Sequence, residues 1–472
     1  MTVWLDVDDL IRFFQIAKRP TGIQRFSFEV CAAALAIAGG STALGFCRRN
    51  ELGTRLIPVD FAALEARIRA MSDQLANAPA PITVSAPLPA VAHRPRLFDL
   101  ARRLPPAYRL PLGELYRAGI NGGRAVKTLA KASLGTLRSP PQPGLPAISA
   151  APEAESRPVT LHPGDWLINL GASWERPYSS TFLNHLASAG ARFGLFAHDM
   201  IPDLFPEWCT KSMARDFALW LDETVSRADC MFAISNHTLN DLKFCLERRN
   251  RNVPPRRLLP PGGNGGGGKG GAPATRPPRL VAQPYVLMVG TIEARKNHGG
   301  MLRVWRHLVN NPPASGVPVL VFAGKIGWLT SDLMQQLENA SYLGGKILFV
   351  DQPSETELAA LYHHCLFTLY PSLYEGWGLP VTESLCHGKP VAASNSSAIP
   401  EAGGPFCCYF DPDNLAEAQE KIRLWIEQPE LVLSMEARIA ADFTPPQWEN
   451  TARALLLECG IPGTGFAVPM PA

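Results

Sequence analysis

The stretch Tyr370–Pro390 reads YPSLYEGWGLPVTESLCHGKP, and its layout decides how the rest of the chain is read. An apolar run, Cys365 to Tyr370, has strand character. A glycine-bearing turn follows, Gly376-Trp377-Gly378-Leu379-Pro380, and then a short helical pattern closed by Gly388 and Pro390. The order is strand, glycine loop, helix, the unit of a doubly wound α/β sheet. A loop of this kind presents free backbone N–H groups, and the helix start adds a positive dipole end. Glu375 stands at the start of the loop and Glu383 eight positions later, expected on the first helical turn. Both can face one cleft and accept hydrogen bonds there. Alone, the pair reads more readily as two solvated acids on a tight turn, so the surroundings decide.

The chain has 472 residues, which suits two domains of about 200 residues each. Hydrophobic residues make up 46% and charged residues 18%, as in a soluble globular protein, and a net charge of +3 gives no general argument for nucleic acid. The ten cysteines include no CxxC pair and read as reduced cytosolic thiols. The N-terminus, MTVWLDVDDL, carries acids where a secretion signal needs basic residues. The apolar run from Val30 to Phe46 is broken by Gly39-Gly40-Ser41-Thr42 and is a poor membrane span.

Strands alternating with helices place a first Rossmann-like domain at residues 1–252 and a second at 285–444, joined by a Pro/Gly-rich linker at 253–284. Residues 445–472 form a last helix and tail that can cross back to the first domain, with Thr444 as expected N-cap and Pro445 in the first turn. In the first domain, Val3 to Val7 is a strand, and Thr21-Gly22 opens a helix to about Ala38. Gly22 between Arg19 and Arg25 is either an anion site or a plain helix start. Phe193 to Ala197 is a strand ending in His198-Asp199, which is either a ligand position at a strand end or a loop cap. Residues 50–160 are less regular. Within them, 93–140 carries ten Lys or Arg against Asp99 and Glu114, interleaved with apolar residues. It is read as a basic insertion that either lies on an anionic membrane surface or is simply solvated. The glycine run at 265–268 is no phosphate loop, since no strand feeds it and no helix follows it closely.

Three strand-end loops of the second domain carry groups suited to a nucleotide diphosphate. Arg295 and Lys296 offer cationic donors for phosphate oxygens. The loop Gly376-Trp377-Gly378-Leu379 offers backbone N–H groups, and Glu383 a bidentate acceptor for a ribose diol. Glu375 can hold sugar hydroxyls.

These features together resemble the retaining glycosyltransferases of family 4, whose fold is the two-domain GT-B arrangement. The resemblance rests on VGTIEARKN, FAGKIGW, YPSLYEGWGLPVTESLCHGKPV and SAIPEAGGP, and extends through RPTGIQR, HDMIPDLFPEW and AISNHT. It is most similar to bacterial polysaccharide enzymes such as O-antigen mannosyltransferases. The resemblance implies that Glu375 binds the donor sugar, Glu383 the ribose, and Lys296 the phosphates. The arginine that often follows the strand-end glycine is Thr291 here, and Arg295 is the expected substitute. Gly290, Thr291, Gly324 and Lys325 complete the donor-binding set. Gly22 and Arg25 line the phosphate and acceptor side, His198 lies near the donor sugar, and Asp199 assists the acceptor.

The implied reaction moves a sugar, mannose being the first guess, from a nucleotide diphosphate sugar to a hydroxyl of a glycan or lipid-linked acceptor, with retention at the anomeric carbon. The leaving phosphate takes the acceptor proton, so no glycosidase acid and base pair is assigned. No metal or other cofactor is expected: Asp6-Val7-Asp8 and Asp411-Pro412-Asp413 match a D-x-D pattern, but one follows an opening strand and the other sits in a turn. The expected location is the cytoplasm, peripheral on the inner face of the membrane. The alternatives are a sugar-nucleotide epimerase of the same fold and a non-catalytic subunit of a polysaccharide assembly.

Overall fold

A computed structural model describes residues 1–16, 22–77, 157–263 and 283–461. The expectations for Arg19 to Thr21, for the basic segment 93–140 and for the glycine run lie outside these residues.

Two doubly wound sheets form the frame, as the alternation of strands and helices predicts. The first has the order β3-β2-β1-β4-β5-β6-β7. Its strands are β1 (Val3–Asp6), β2 (Leu44–Arg49), β3 (Leu56–Pro58), β4 (Trp166–Asn169), β5 (Arg192–Ala197), β6 (Cys230–Ala233) and β7 (Arg256–Leu258). All neighbours are parallel except β2 and β3. The second sheet has the order β10-β9-β8-β11-β12-β13 and is parallel throughout. Its strands are β8 (Tyr285–Val289), β9 (Val319–Gly324), β10 (Ile347–Asp351), β11 (Thr368–Tyr370), β12 (Val391–Ser394) and β13 (Cys407–Phe410).

Helices cover both faces, so the central strands are almost continuous apolar runs, as parallel sheets require. Trp166, Leu167 and Ile168 of β4, and Leu320, Val321 and Phe322 of β9, are all buried. Trp220 anchors the core of the first sheet and Trp305 that of the second, each fully buried. In each sheet the strand order reverses once. The switch lies between β1 and β4 in the first sheet and between β8 and β11 in the second. Open α/β sheets bind ligands outside the carboxyl ends of the strands at such points.

Four local expectations need correction. The linker is shorter than 253–284: Arg256–Leu258 joins the first sheet as β7, because Arg256, Arg257 and Leu258 pair in parallel with β6 between the flanking prolines. Residues 50–160 begin with regular structure, β3 and the helix Phe61–Asn77. The last helix is Trp448–Glu458 and follows Gln447, not Thr444. The reason is that the Pro446 carbonyl accepts the Gly263 N–H at 2.9 Å, which holds that segment extended. Glu383 is the fifth residue of the helix Leu379–Cys386, past the first turn.

The last helix packs on the helix Gly22–Ala38 of the first domain. Trp448 meets Phe26 edge-on at 5.7 Å, and Thr451 donates to the Pro260 carbonyl at 2.6 Å. Among the described residues no helix is long and apolar enough to cross a membrane.

Candidate active site

The loops after β8, β9 and β11 converge at the switch point of the second sheet. The approach is close enough to exclude a side chain at Gly324: a Cβ there would lie 2.0 Å from the Gly290 carbonyl oxygen. After β8 the chain turns through Thr291 and Ile292, whose N–H bonds the Lys325 carbonyl, into a tight turn at Ala294–Lys296. That turn aims two cations at the loop after β11.

Both reach Glu375. Lys296 Nζ lies 2.5 Å from Glu375 Oε1, and Arg295 Nη1 lies 2.5 Å from Oε2. Lys296 also donates to the Tyr370 hydroxyl at 2.8 Å, and Arg295 Nη2 pairs with Glu293 at 2.7 Å. The Glu375 N–H donates to Ser397 Oγ at 2.8 Å, which fixes the carboxylate's backbone. Burial alone would raise the Glu375 pKa, but Arg295 and Lys296 overcome it and hold it down to about 2. Burial lowers that of Lys296 although Glu375 opposes the shift. Arg295 is pushed up, because Glu375, Glu293 and Asp199 outweigh its burial. Burial raises Asp199, with Arg295 opposing.

Glu383 faces the first domain. Its Oε1 accepts Arg25 Nη1 at 2.6 Å, and its Oε2 accepts the Tyr362 hydroxyl at 3.0 Å. Gly22, one helical turn before Phe26, sits where an added Cβ would lie 3.6 Å from Leu379. Trp377 and Gly378 shape the same loop, with Trp377 Nε1 donating to Thr382 Oγ1 at 3.0 Å. Gly376 meets the first domain most closely. A Cβ there would lie 1.8 Å from the His198 carbonyl oxygen and 3.0 Å from the Asp199 side chain.

His198 is buried at the end of β5, and its Nε2 contacts the Leu170 carbonyl at 2.8 Å. A carbonyl only accepts, so that nitrogen carries the proton. Burial pulls the ring's pKa down to about 4, with the Leu170 bond opposing, and the neutral ring keeps Nδ1 free of a proton. Thus Glu375, Arg295, Lys296, Asp199, His198 and Gly376 meet in one place, and Glu383, Arg25, Gly22 and Leu379 in an adjoining one. Lys325 stays at the exposed rim.

Several contacts were not read from the sequence. Glu293, Tyr370 and Tyr362 partner the charged groups. A clasp also spans the two sheets: Glu401 accepts the N–H groups of Asn236 and His237 at 2.9 and 2.8 Å, and His237 Nε2 meets the Tyr374 hydroxyl at 2.7 Å. Glu401 and His237 both fall in quoted motifs, SAIPEAGGP and AISNHT, but pairing across 164 positions has no sequence signal.

Chemically, the arrangement offers a buried carboxylate that accepts hydroxyls and two cations that balance phosphate charge. It also offers a second carboxylate with both oxygens directed to donors. Residues 276–441 match the family Glycosyl transferases group 1. Serotype-specific mannosyltransferase WbdA of Escherichia coli is 27% identical over 265 residues, which cover 53% of this chain and 32% of WbdA. The present chain therefore spans about a third of the length of that relative. O-antigen chain mannosyltransferase B of Escherichia coli is 30% identical over 254 residues, covering 54% of this chain and 66% of the relative. The crystal structure of Anabaena HepE in complex with UDP aligns over 97% of this chain and 99% of that one, with a TM-score of 0.54 and 14% identity. That likeness bears on the fold, which is GT-B.

Proposed function

Residues 276–441 belong to the group 1 glycosyl transferases, and from that premise we propose that this chain transfers a hexosyl unit, mannose first among candidates, from a nucleotide diphosphate sugar to a hydroxyl of a glycan or lipid-linked acceptor. The observation that carries the reading is the cluster of buried Glu375 and Lys296 with half-buried Arg295 at the switch point of the second sheet. A buried carboxylate clamped by two cations is a poor general base, since its pKa is held near 2. It is well suited to accept hydroxyls of a bound sugar.

In the proposed reaction the bond between the anomeric carbon and the diphosphate oxygen breaks. Lys296 and Arg295 balance the charge that grows on the leaving group. The acceptor oxygen forms the new bond on the same face, with retention, and its proton passes to a leaving phosphate oxygen. Glu383 exchanges its Arg25 and Tyr362 partners for the ribose diol. Neutral His198 holds a hydroxyl of the donor sugar through Nδ1, and Asp199 orients the acceptor. No metal or other cofactor is assigned a step. Mannose is favoured by the names of WbdA and O-antigen chain mannosyltransferase B. The enzyme is proposed to act in surface polysaccharide synthesis at the cytoplasmic face of a membrane, reached in part through the basic segment 93–140.

Thermal unfolding of the purified chain against a panel of nucleotide diphosphate sugars tests the reading. A ligand that binds the native state alone raises Tm once its concentration exceeds Kd. One nucleotide class is expected to raise Tm in wild type and not in Lys296→Ala. A panel with no effect would remove the proposal.

A further inference from the structure

The switch point of the first sheet holds a second site. The chain leaves the paired strands β1 and β4 there, and the helix Asp8–Ile16 and residues 169–176 enclose a cavity of about 240 Å³. That is smaller than the ~300–1,000 Å³ of pockets for drug-sized ligands and fits one six-membered ring.

The floor of the cavity is charge-balanced. Arg176 Nη1 donates to Asp8 Oδ2 at 2.8 Å, and its Nη2 bonds the carbonyls of Asn50 and Glu51. Arg49 lies 3.5 Å from Asp6 and 3.6 Å from Asp8, and its guanidinium covers the Tyr178 ring. Tyr178 and Asn169 both donate to Asp6. Two of the three arginines of the lining, Arg49 and Arg176, are therefore already committed to carboxylates and carbonyls.

The walls carry acceptors and an apolar strip. Asp9 and Glu175 both line the cavity, with Arg12 as the cation beside them. Asp9 accepts Gln24 Nε2 at 3.4 Å, and burial raises its pKa. Burial and the nearby Asp9 raise that of Glu175, with Arg12 opposing. Phe13 and Ile16 add apolar surface, and Ile16 is 92% exposed. Ser173 also lines the cavity, is only 2% exposed, and its hydroxyl has no hydrogen-bond partner. A buried hydroxyl left without a partner destabilises the fold, so a ligand that satisfies it gains affinity.

From these groups we propose that the cavity is a subsite for a neutral hexopyranose unit of the glycan acceptor, held by Asp9, Glu175 and Ser173 with its C–H face on Phe13. The inference rests on the transferase reading above. Carboxylates and a hydroxyl match a polyol, whose hydroxyls donate. A phosphate or carboxylate ligand meets two acids, Asp9 and Glu175, against one uncommitted cation, Arg12. The position suits an acceptor. Gln24 reaches Asp9 while the adjacent Arg25 reaches Glu383, so one helix start borders both sites. The Leu170 carbonyl, which holds His198, lies at the head of the loop that carries Ser173.

The test is saturation-transfer NMR and calorimetry on the full chain with methyl α-glycosides of mannose, glucose, galactose, N-acetylglucosamine and rhamnose. Mannose 1-phosphate serves as the anionic comparison, and UDP and GDP as donor-site probes. At least one neutral glycoside is expected to bind. Its Kd should rise about tenfold in Glu175→Gln and in Phe13→Ala, both surface changes, and in Ser173→Ala, consistent with one charged hydrogen bond or one packed ring. Saturation transfer to the C–H protons should be lost in Phe13→Ala. Unchanged Kd in all three variants, or tighter binding of mannose 1-phosphate than of any neutral glycoside, overturns the subsite. Wild-type protein that binds UDP or GDP but no glycoside overturns the subsite alone. Protein that binds neither overturns the transferase reading beneath it.

Discussion

Replacing Glu375 by Gln keeps the side chain's shape and removes its charge, leaving buried Lys296 and half-buried Arg295 without their shared counter-ion. The carboxylate's pKa is held at about 2 against an ordinary 4.5. At about 1.4 kcal/mol per unit, the interaction with ionised Glu375 contributes on the order of 3 kcal/mol to stability. The same magnitude is typical for removing one partner of a buried pair. Because the folded pKa lies below the unfolded one, this contribution is fully present above about pH 4.5 and disappears as pH falls toward 2. Guanidinium unfolding at pH 7, followed by tryptophan fluorescence, is the direct assay. With a slope of about 5 kcal/mol/M, the midpoint of the transition that reports the second sheet should fall by about 0.6 M. Nucleotide binding and turnover should separate in the same variant. Freed from Glu375, the two cations should bind UDP or GDP at least as tightly as before. Transfer should fall on the order of 10²-fold or more, since the donor sugar loses its charged acceptor. A midpoint shift below about 0.2 M, or loss of nucleotide binding in step with turnover, would refute the argument that Glu375 neutralises the cations and holds the sugar in register.

Three further outcomes follow from the same geometry. Gly376→Ala brings a Cβ to 1.8 Å from the His198 carbonyl oxygen, a backbone atom, so transfer should collapse and small-angle scattering should show a larger radius of gyration. The pH profile of kcat/KM should show no inflection near 6.5 from His198, whose pKa is pulled down to about 4. Stability linked to that ring is present above about 6.5 and declines toward 4, because the unfolded chain binds the proton first. Deleting 93–140, with its ten basic residues against two acidic ones, should abolish co-sedimentation with phosphatidylserine vesicles at low salt. Equal sedimentation of the deleted and intact chains would remove a membrane role for the segment.

Much of the frame was legible because central parallel strands are continuous apolar runs. Tyr285–Val289 and Phe193–Ala197 announce themselves that way, and each ends in residues of the site. Strands that carry charge were not legible. The edge strand β7 is Arg-Arg-Leu between prolines, and the inner strand β2 contains Arg48 and Arg49, which are buried all the same. Arg49 is accommodated by Asp6 and Asp8, the acids that suggested a metal pattern. Their pairing makes them the floor of a cavity. Glu375 and Lys296 were singled out as individuals, but their mutual contact joins residues 79 positions apart and is a product of strand order. Arg25 on Glu383 was equally out of reach, being a contact between the two sheets. The helix start at Trp448 was misplaced because Thr444 and Pro445 carry good capping signals that a backbone bond from Gly263 overrides.

The central claim is retaining hexosyl transfer at the Glu375 and Lys296 site. It is tested most directly by real-time proton NMR of the purified full chain with the nucleotide sugar selected by thermal shift and a neutral oligosaccharide acceptor. Wild type should consume donor and acceptor together. The first new anomeric signal should have the donor's own configuration, and Lys296→Ala should give none. A product of inverted configuration, donor loss without any glycoside product, or an undiminished rate in Lys296→Ala would contradict the account.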